Sequence, residues 1–472
     1  MDYDVIVIGG GTAGLTAALT ARHHGASVVL LEQEAGIGGD CTFYGCVPSK
    51  ALIEVAQLAH DLERAQGEGI VDAAPAFDFA EVMRRRARIV GQIAEDESDE
   101  RFTSRGIEVI HAQARFLDAH TLELEDSRRL TGRRFVIATG SLPAVPPIEG
   151  LDSIRFLTNK TVFGLQRLPG RLAVLGGGAV GLELAQAFGR LGSGVTMVEV
   201  AERLLPREEP EAGAAVAQVL AGEGIDLRLG TAVSRVEQRG AEIVLRIGDG
   251  DVVCDELLVA AGRRAALEPL GLEVELEDGY VKVDRRCRTS LPHVYAAGDV
   301  TGGYQFTHVA SHEGRVAGAN AAGKRARLDE RVVPWVTFTD PEIAHVGLTE
   351  TEARERHRHV ETHVFPMSSV DRARIIERPC GFVKLVTAGR PLLGRAGGGV
   401  LVGAQIVGPR AGELIQECAL AIRTRCFAGR LAQTIHAYPT MSVAVQQAES
   451  QAYAIGRLIT PPDTASDGRE RR

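Results

Sequence analysis

Tyr3-Asp4-Val5-Ile6-Val7-Ile8-Gly9-Gly10-Gly11-Thr12-Ala13-Gly14 opens the chain, and its reading decides the fold. Asp4–Ile8 is a continuous apolar run, the pattern of a strand buried in a parallel sheet. Gly9, Gly11 and Gly14 follow in the spacing G-x-G-x-x-G, then an Ala/Leu-rich helix to about His24. Ser27–Leu31 forms the next strand and ends at Glu32. Glycines between a strand and a helix allow a tight turn and bring backbone N–H groups up to a pyrophosphate. The acid at the end of the second strand accepts from a ribose 2′-hydroxyl. One such unit is weak evidence, but this chain carries two. Arg171–Leu175 leads into Gly176-Gly177-Gly178-Ala179-Val180-Gly181, a helix to about Leu191, and Val195–Val198 ending at Glu199. The repeat, with both acids in register, points to an α/β protein that holds two dinucleotides. Glu199 would repel a 2′-phosphate, so NADH is expected over NADPH. Arg203 and Arg207 lie nearby and read equally well as solvated charges.

The bulk properties narrow the class. The 472 residues suffice for roughly three domains, and the hydrophobic content of 45% supplies a substantial core. The net charge of −9 and the lack of any basic block beyond Arg84-Arg85-Arg86 argue against a nucleic-acid partner. No apolar run approaches the ~18 residues of a membrane span. The chain starts directly on a strand, without a basic leader, and its seven cysteines are no secreted disulfide framework. A soluble, cytoplasmic protein is the expectation.

Cys41-Thr42-Phe43-Tyr44-Gly45-Cys46 is followed at once by Val47-Pro48-Ser49-Lys50. Zinc pairs usually sit closer, with about two to four residues between ligands and a second pair nearby. No second pair exists, so no metal site is expected, and the motif suggests a redox-active disulfide against a cofactor. Cys254, Cys287, Cys380, Cys418 and Cys426 are scattered and look like small buried hydrophobes. Around the motif, one helix is expected from near Gly45 to about Ala65 and another over about Phe79–Ser104. Short strands are expected over about Ile107–Leu124, and a strand over Arg134–Ala138 that ends in Ala138-Thr139-Gly140. The segment from about Gly271 to Lys324 reads as strands with a Gly-rich Ala297-Gly298-Asp299. About Val332 to Ala454 reads as strands with two amphipathic helices (about Glu413–Ile422 and Val443–Ile455).

Taken together, Gly9–Gly14, Gly39-Asp40-Cys41 through Lys50, Ala138-Thr139-Gly140, Gly176–Gly181 and Ala297-Gly298-Asp299-Val300 resemble the FAD-dependent pyridine nucleotide–disulfide oxidoreductases. This family includes dihydrolipoamide dehydrogenase, glutathione reductase and mercuric reductase, and the resemblance runs from Tyr3 to about Tyr453. It implies two Rossmann-like domains and a C-terminal α+β interface domain that builds a homodimer. The FAD domain would comprise 1–150 and 271–330, the inserted NAD(P) domain 151–270 and the interface domain 331–457, with 458–472 a disordered tail. It also implies roles. Cys46 would be the thiol beside the flavin, and Cys41 the thiol that meets the acceptor. Lys50 would stand by the flavin, paired with Glu183, and Asp299 would hold the ribityl chain. Gly9, Gly11, Gly14, Glu32, Gly140, Gly176, Gly178, Gly181, Glu199 and Gly262 would complete the cofactor sites. A thiolate at a helix N-terminus near a lysine has a lowered pKa, in accord with these roles.

The chain departs from the family pattern at Ile435-His436-Ala437-Tyr438-Pro439-Thr440-Met441-Ser442-Val443. Thiol-exchanging members carry His-Pro-Thr here and a Glu shortly after. Tyr438 stands in the His position and Val443 in the Glu position, so the acid/base dyad is missing. His436, two residues upstream, reads as structural rather than as a replacement. The Tyr resembles mercuric reductase, as do Val333–Pro341 and Tyr304–His308. No vicinal C-terminal cysteines and no N-terminal metal-binding domain accompany it. The expected activity is therefore electron transfer from NAD(P)H through FAD and Cys41–Cys46 to a thiol-reactive acceptor, either a small molecule or a metal ion. The alternatives are dihydrolipoamide dehydrogenase, and an NADH:quinone or diaphorase-type reductase in which Phe43 and Tyr44 form an aromatic wall.

Overall fold

Val5–Ile8 and all of Val28–Glu32 are buried, as side-by-side parallel strands covered on both faces require. Burying each Val, Leu or Ile in such a strand is worth about 1.5–3 kcal/mol. The computed structural model describes residues 1–73, 76–248, 250–267, 270–389 and 398–451. It divides the chain into two compact units, Met1–Glu202 with Leu220–Asp329, and Arg203–Val219 with Glu330–Arg472. The tail proposed for 458–472 lies outside the described residues, as does the end of the helix expected at Val443–Ile455.

The first unit is built on two parallel sheets. In the larger, Ile107–His111, Val28–Glu32, Tyr3–Ile8 and Arg129–Ile137 lie side by side in that order. The C-terminal half of Arg129–Ile137 pairs in parallel with Val294–Ala296. Its N-terminal half pairs antiparallel with Thr121–Leu124, which carries Ala114–Phe116. The smaller sheet runs Asp226–Arg228, Gly194–Val198, Arg171–Leu175, Glu256–Val259, all parallel. Each sheet turns into a helix at its Gly-rich loop, Thr12–His23 in one and Ala179–Arg190 in the other.

The second unit centres on an antiparallel sheet of Pro334–Thr337, Glu342–Gly347, Val400–Gly408, Phe382–Ala388 and Val360–Pro366. The helices Ala411–Arg423 and Val443–Ser450 bury Ile415, Cys418, Ala444 and Val445 against it. Three short helices, Glu350–Arg356, Asp371–Ile375 and Ala428–Gln433, accompany the two expected from periodicity.

Several sequence expectations are corrected. The helix expected over about Phe79–Ser104 is two, Phe79–Asp96 and Asp99–Thr103, because Ser98 is extended and opens the second. The strand expected at Arg134 begins at Arg129. Thr307–Ala321, in a segment read as strands, is a helix. Its glycines weaken the helical signal but serve packing: a Cβ on Gly314 would lie 2.3 Å from the Ala13 carbonyl oxygen, and one on Gly318 2.2 Å from that of Ala17. Cys254, Cys287 and Cys418 are buried as expected, whereas Cys380 is exposed and Cys426 half-buried.

Candidate active site

The two Gly-rich loops have the same construction. A Cβ on Gly9 would lie 2.2 Å from the Ala138 carbonyl oxygen, and one on Gly176 2.4 Å from that of Ala260. A Cβ on Gly14 would meet the Gly9 carbonyl oxygen at 1.8 Å, and one on Gly181 that of Gly176 at 2.1 Å. Both helices are capped by a glycine, Gly11 and Gly178, that offers no side-chain acceptor, so their first N–H groups face outward for an anion. Glu32 accepts from Gly10 N–H at 2.6 Å and Glu34 N–H at 2.8 Å. Glu199 accepts from Gly177 N–H at 2.5 Å and Ala201 N–H at 2.7 Å. Each acid is thus fixed at the rim of its loop with lone pairs left for a ribose. Beside the first loop the Thr139 hydroxyl is shielded from water without a hydrogen-bond partner, which marks that edge as a place for a ligand. Arg203 donates to the Pro206 and Glu208 carbonyls rather than standing free.

Cys41 lies in the short helix Gly39–Phe43, and Cys46 opens the long helix Cys46–Gly67 behind Gly45. No S–S bond joins them, and Cys41 is half-buried. The neighbouring Cys46 sulfur, followed by burial, pushes the Cys41 thiol well up. The Cys41 thiol in turn holds Cys46 down, to about 6, against burial and with help from the Thr307 hydroxyl and the Lys50 charge. Thr307 Oγ1 lies 3.3 Å from Cys46 Sγ, at the start of the Thr307–Ala321 helix. One turn along from Cys46, Lys50 Nζ donates to Glu183 Oε2 at 2.7 Å. Glu183 is buried and Lys50 half-buried, so the carboxylate offsets a charge that would otherwise be costly. The expected Lys50–Glu183 pair is therefore formed.

A third cluster surrounds Asp299. Its Oδ2 accepts from the Ser141 hydroxyl at 2.6 Å and lies 3.5 Å from Arg263 Nε. Gly140, Gly262 and Gly298 supply the left-handed backbone (φ of +71°, +124° and +82°) that turns the chain here. Arg263 also pairs with Asp40, the residue before Cys41. Thr307, Ser141 and Arg263 were not singled out from the sequence. Their partners lie more than a hundred residues away, and no local pattern signals such contacts.

In the second unit, Tyr438 is exposed and donates to Asp371 Oδ2 at 2.8 Å, which pushes its phenol up. It keeps its proton at neutral pH and is a donor, not a base. His436 is engaged at both nitrogens, Nε2 with Glu417 Oε1 at 3.0 Å and Nδ1 with the Thr434 carbonyl at 2.9 Å. No nitrogen is left for a thiol, consistent with a structural His. Val443 begins the last described helix. Among the described residues, no three His, Cys, Asp or Glu side chains group to hold a metal ion. None of the helices among the described residues is long and apolar enough to cross a membrane.

Comparison with known proteins agrees with this geometry. Residues 3–314 match the pyridine nucleotide-disulphide oxidoreductase family and residues 333–449 its dimerisation domain, which supports a homodimer. A mercuric reductase of Streptomyces lividans is 38% identical, over 94% of this chain and 95% of its own. A dihydrolipoyl dehydrogenase of Thermus scotoductus is 37% identical, over 94% and 96%. Among solved structures, a Cu(II) complex of the HOCl-induced flavoprotein disulfide reductase RclA from Escherichia coli superposes with a TM-score of 0.82 at 29% identity. That match covers 93% of this chain and 98% of that one.

Proposed function

Since the chain belongs to the pyridine nucleotide-disulphide oxidoreductases, FAD-dependent enzymes that use NAD(P)H, we propose that Cys41 and Cys46 are its working redox pair and that they deliver electrons to a thiol-reactive acceptor. The observation that carries the reading is the placement of Cys46 at the head of the Cys46–Gly67 helix, with Thr307 Oγ1 3.3 Å from its sulfur and its thiol held down to about 6 beside Cys41 and Lys50. FAD, when bound, supplies the two-electron exchange between the nicotinamide and the sulfurs. The residues present fit it: Gly9 and Gly14 allow the tight turn, Gly11 leaves the helix N-terminus uncovered by a side chain, Glu32 and Asp299 offer acceptors for hydroxyls, and Thr139 holds an unspent hydroxyl. Gly176, Gly178, Gly181, Gly262 and Glu199 serve the nicotinamide dinucleotide. Glu199 favours the free 2′-hydroxyl of NADH over the phosphate of NADPH.

Reduction of the Cys41–Cys46 disulfide takes up two electrons and one proton and gives the Cys41 thiol beside the Cys46 thiolate. Reoxidation re-forms the S–S bond and passes the two electrons on. Cys46 carries the thiolate, which the Cys41 thiol, the Thr307 hydroxyl and Lys50 stabilise. Cys41 presents its sulfur to the acceptor. With Tyr438 a donor and His436 engaged, the segment His436–Thr440 offers no free imidazole base of the thiol-exchange type. That favours an acceptor that needs sulfur more than a proton acceptor, and a soft metal ion fits. Relatives named for mercuric ion and solved with Cu(II) support that class. A second reading, dihydrolipoamide dehydrogenase, is favoured by the Thermus scotoductus relative, but general acid/base help worth about 10²–10⁴-fold is missing from it.

The test is NADH oxidation by the FAD-loaded protein with Hg²⁺, Cu²⁺, lipoamide and a quinone, in wild type, Cys41→Ser and Cys46→Ser. The proposal expects turnover with a metal ion or disulfide in wild type only, with quinone reduction largely kept in both variants. Full turnover of every acceptor by the serine variants would refute it and favour a direct flavin reductase.

A further inference from the structure

Asp40 directly precedes Cys41, and its carboxylate is met from a distant part of the chain. Arg263, next to Gly262, forms an ion pair with Asp40 Oδ2. The same guanidinium donates through Nε to the Ser141 hydroxyl at 2.6 Å and through Nη2 to the Ser141 carbonyl at 3.0 Å. Asn159 Nδ2 approaches Asp40 Oδ2 at 3.4 Å.

The location makes this pair informative. Gly38 forms an isolated parallel bridge with Gly11. A Cβ on Gly39 would lie 2.7 Å from the Gly11 Cα. Gly38 and Gly39 are therefore packed against the first Gly-rich loop, whose N–H groups and helix N-terminus are arranged for a pyrophosphate, and Asp40 is the next residue. A carboxylate there repels phosphate oxygens unless a cation cancels it. Arg263 is that cation, and its fork reaches both Asp40 and Ser141.

We infer that Arg263 is a charge-compensating positioning residue for FAD, whose ion pair with Asp40 neutralises the carboxylate beside the pyrophosphate loop and fixes the turn that leads into Cys41. This rests on the assignment of the Gly9–Gly14 loop to FAD. It makes a prediction that a purely structural Arg would not: removing the acid rescues removal of the base.

The experiment is FAD binding to the deflavinated full-length protein, followed by flavin fluorescence, for wild type, Arg263→Met, Asp40→Asn and the double variant. Arg263→Met is expected to raise the FAD dissociation constant about tenfold or more, because the acid is left unpaired beside an anionic ligand. Asp40→Asn alone should stay within about threefold of wild type, and the double variant should bind FAD at least about threefold more tightly than Arg263→Met, short of full recovery because Asp299 also loses the guanidinium 3.5 Å away. A double variant as weak as Arg263→Met would overturn the inference. Should Arg263→Met fail to fold, Arg263→Gln, which can still bond Ser141, runs the same cycle with the same signs. Rescue seen in NADH binding but not in FAD binding would instead overturn the assignment of the loop to FAD.

Discussion

Replacing Thr307 by Ala tests the electrostatics of the thiol pair with little disturbance to the fold. Thr307 is the first residue of its helix, and Ala is well tolerated there. Its hydroxyl lies 3.3 Å from Cys46 Sγ and helps hold that thiol near 6. A hydrogen bond to a charged group is worth about 1.5–3 kcal/mol. The contact is long for a strong bond and the Cys41 and Lys50 groups remain beside the sulfur, so the low end applies. About 1.4 kcal/mol corresponds to about one pKa unit. The thiolate is the charged form, so losing a donor to it raises the pKa, and the Cys46 midpoint should move from about 6 to about 7. The assay is the long-wavelength absorbance of the two-electron-reduced holoenzyme, titrated between pH 5 and 9. The band should fade as pH falls through the midpoint and should fade earlier in Thr307→Ala. Thr307→Ser should behave like wild type. An unchanged midpoint in Thr307→Ala would refute the assigned hydrogen bond.

Lys50 and Glu183 should respond unequally to neutralisation. Lys50→Met leaves a buried carboxylate without its cation and should cost about 3 kcal/mol of stability, whereas Glu183→Gln leaves a half-exposed lysine that can rehydrate and should cost about 1 kcal/mol; thermal melts of both holoproteins check the order. Glu449 is fully buried, has no hydrogen-bond partner among the described residues, and is pushed up to about 8 by burial and by Glu417. An acid raised on folding stays protonated while its unfolded counterpart ionises, so stability should fall as pH rises from about 4.3 to about 8 and level off above. Glu449→Gln should flatten that decline and be more stable than wild type at pH 8 by several kcal/mol, the interval from about 4.3 to about 8 being worth about 5 kcal/mol at most, measured by urea unfolding across pH.

The features most legible in the sequence were those with local periodicity and spacing. Apolar runs ending in glycine loops marked both dinucleotide units, and Glu32 and Glu199 lie at the loop rims as the spacing required. The Lys50–Glu183 pair was legible because both charges stand in apolar helical stretches. The Thr307–Ala321 helix was hidden because its small residues serve close approach to Ala13 and Ala17 rather than a hydrophobic stripe. Arg263, Ser141 and Thr307 were hidden because their roles come from contacts that only tertiary structure creates. Tyr438 shows the reverse case: its substitution was visible in the sequence, while its bond to Asp371 was not.

Anaerobic titration of the purified flavoprotein with NADH tests the redox role of Cys41 and Cys46 most directly. If the pair works as proposed, the protein takes up two electron pairs per FAD, and a long-wavelength thiolate band appears after the first. Bleaching of the flavin by a single pair, with no such band, would contradict the account and leave the two cysteines idle.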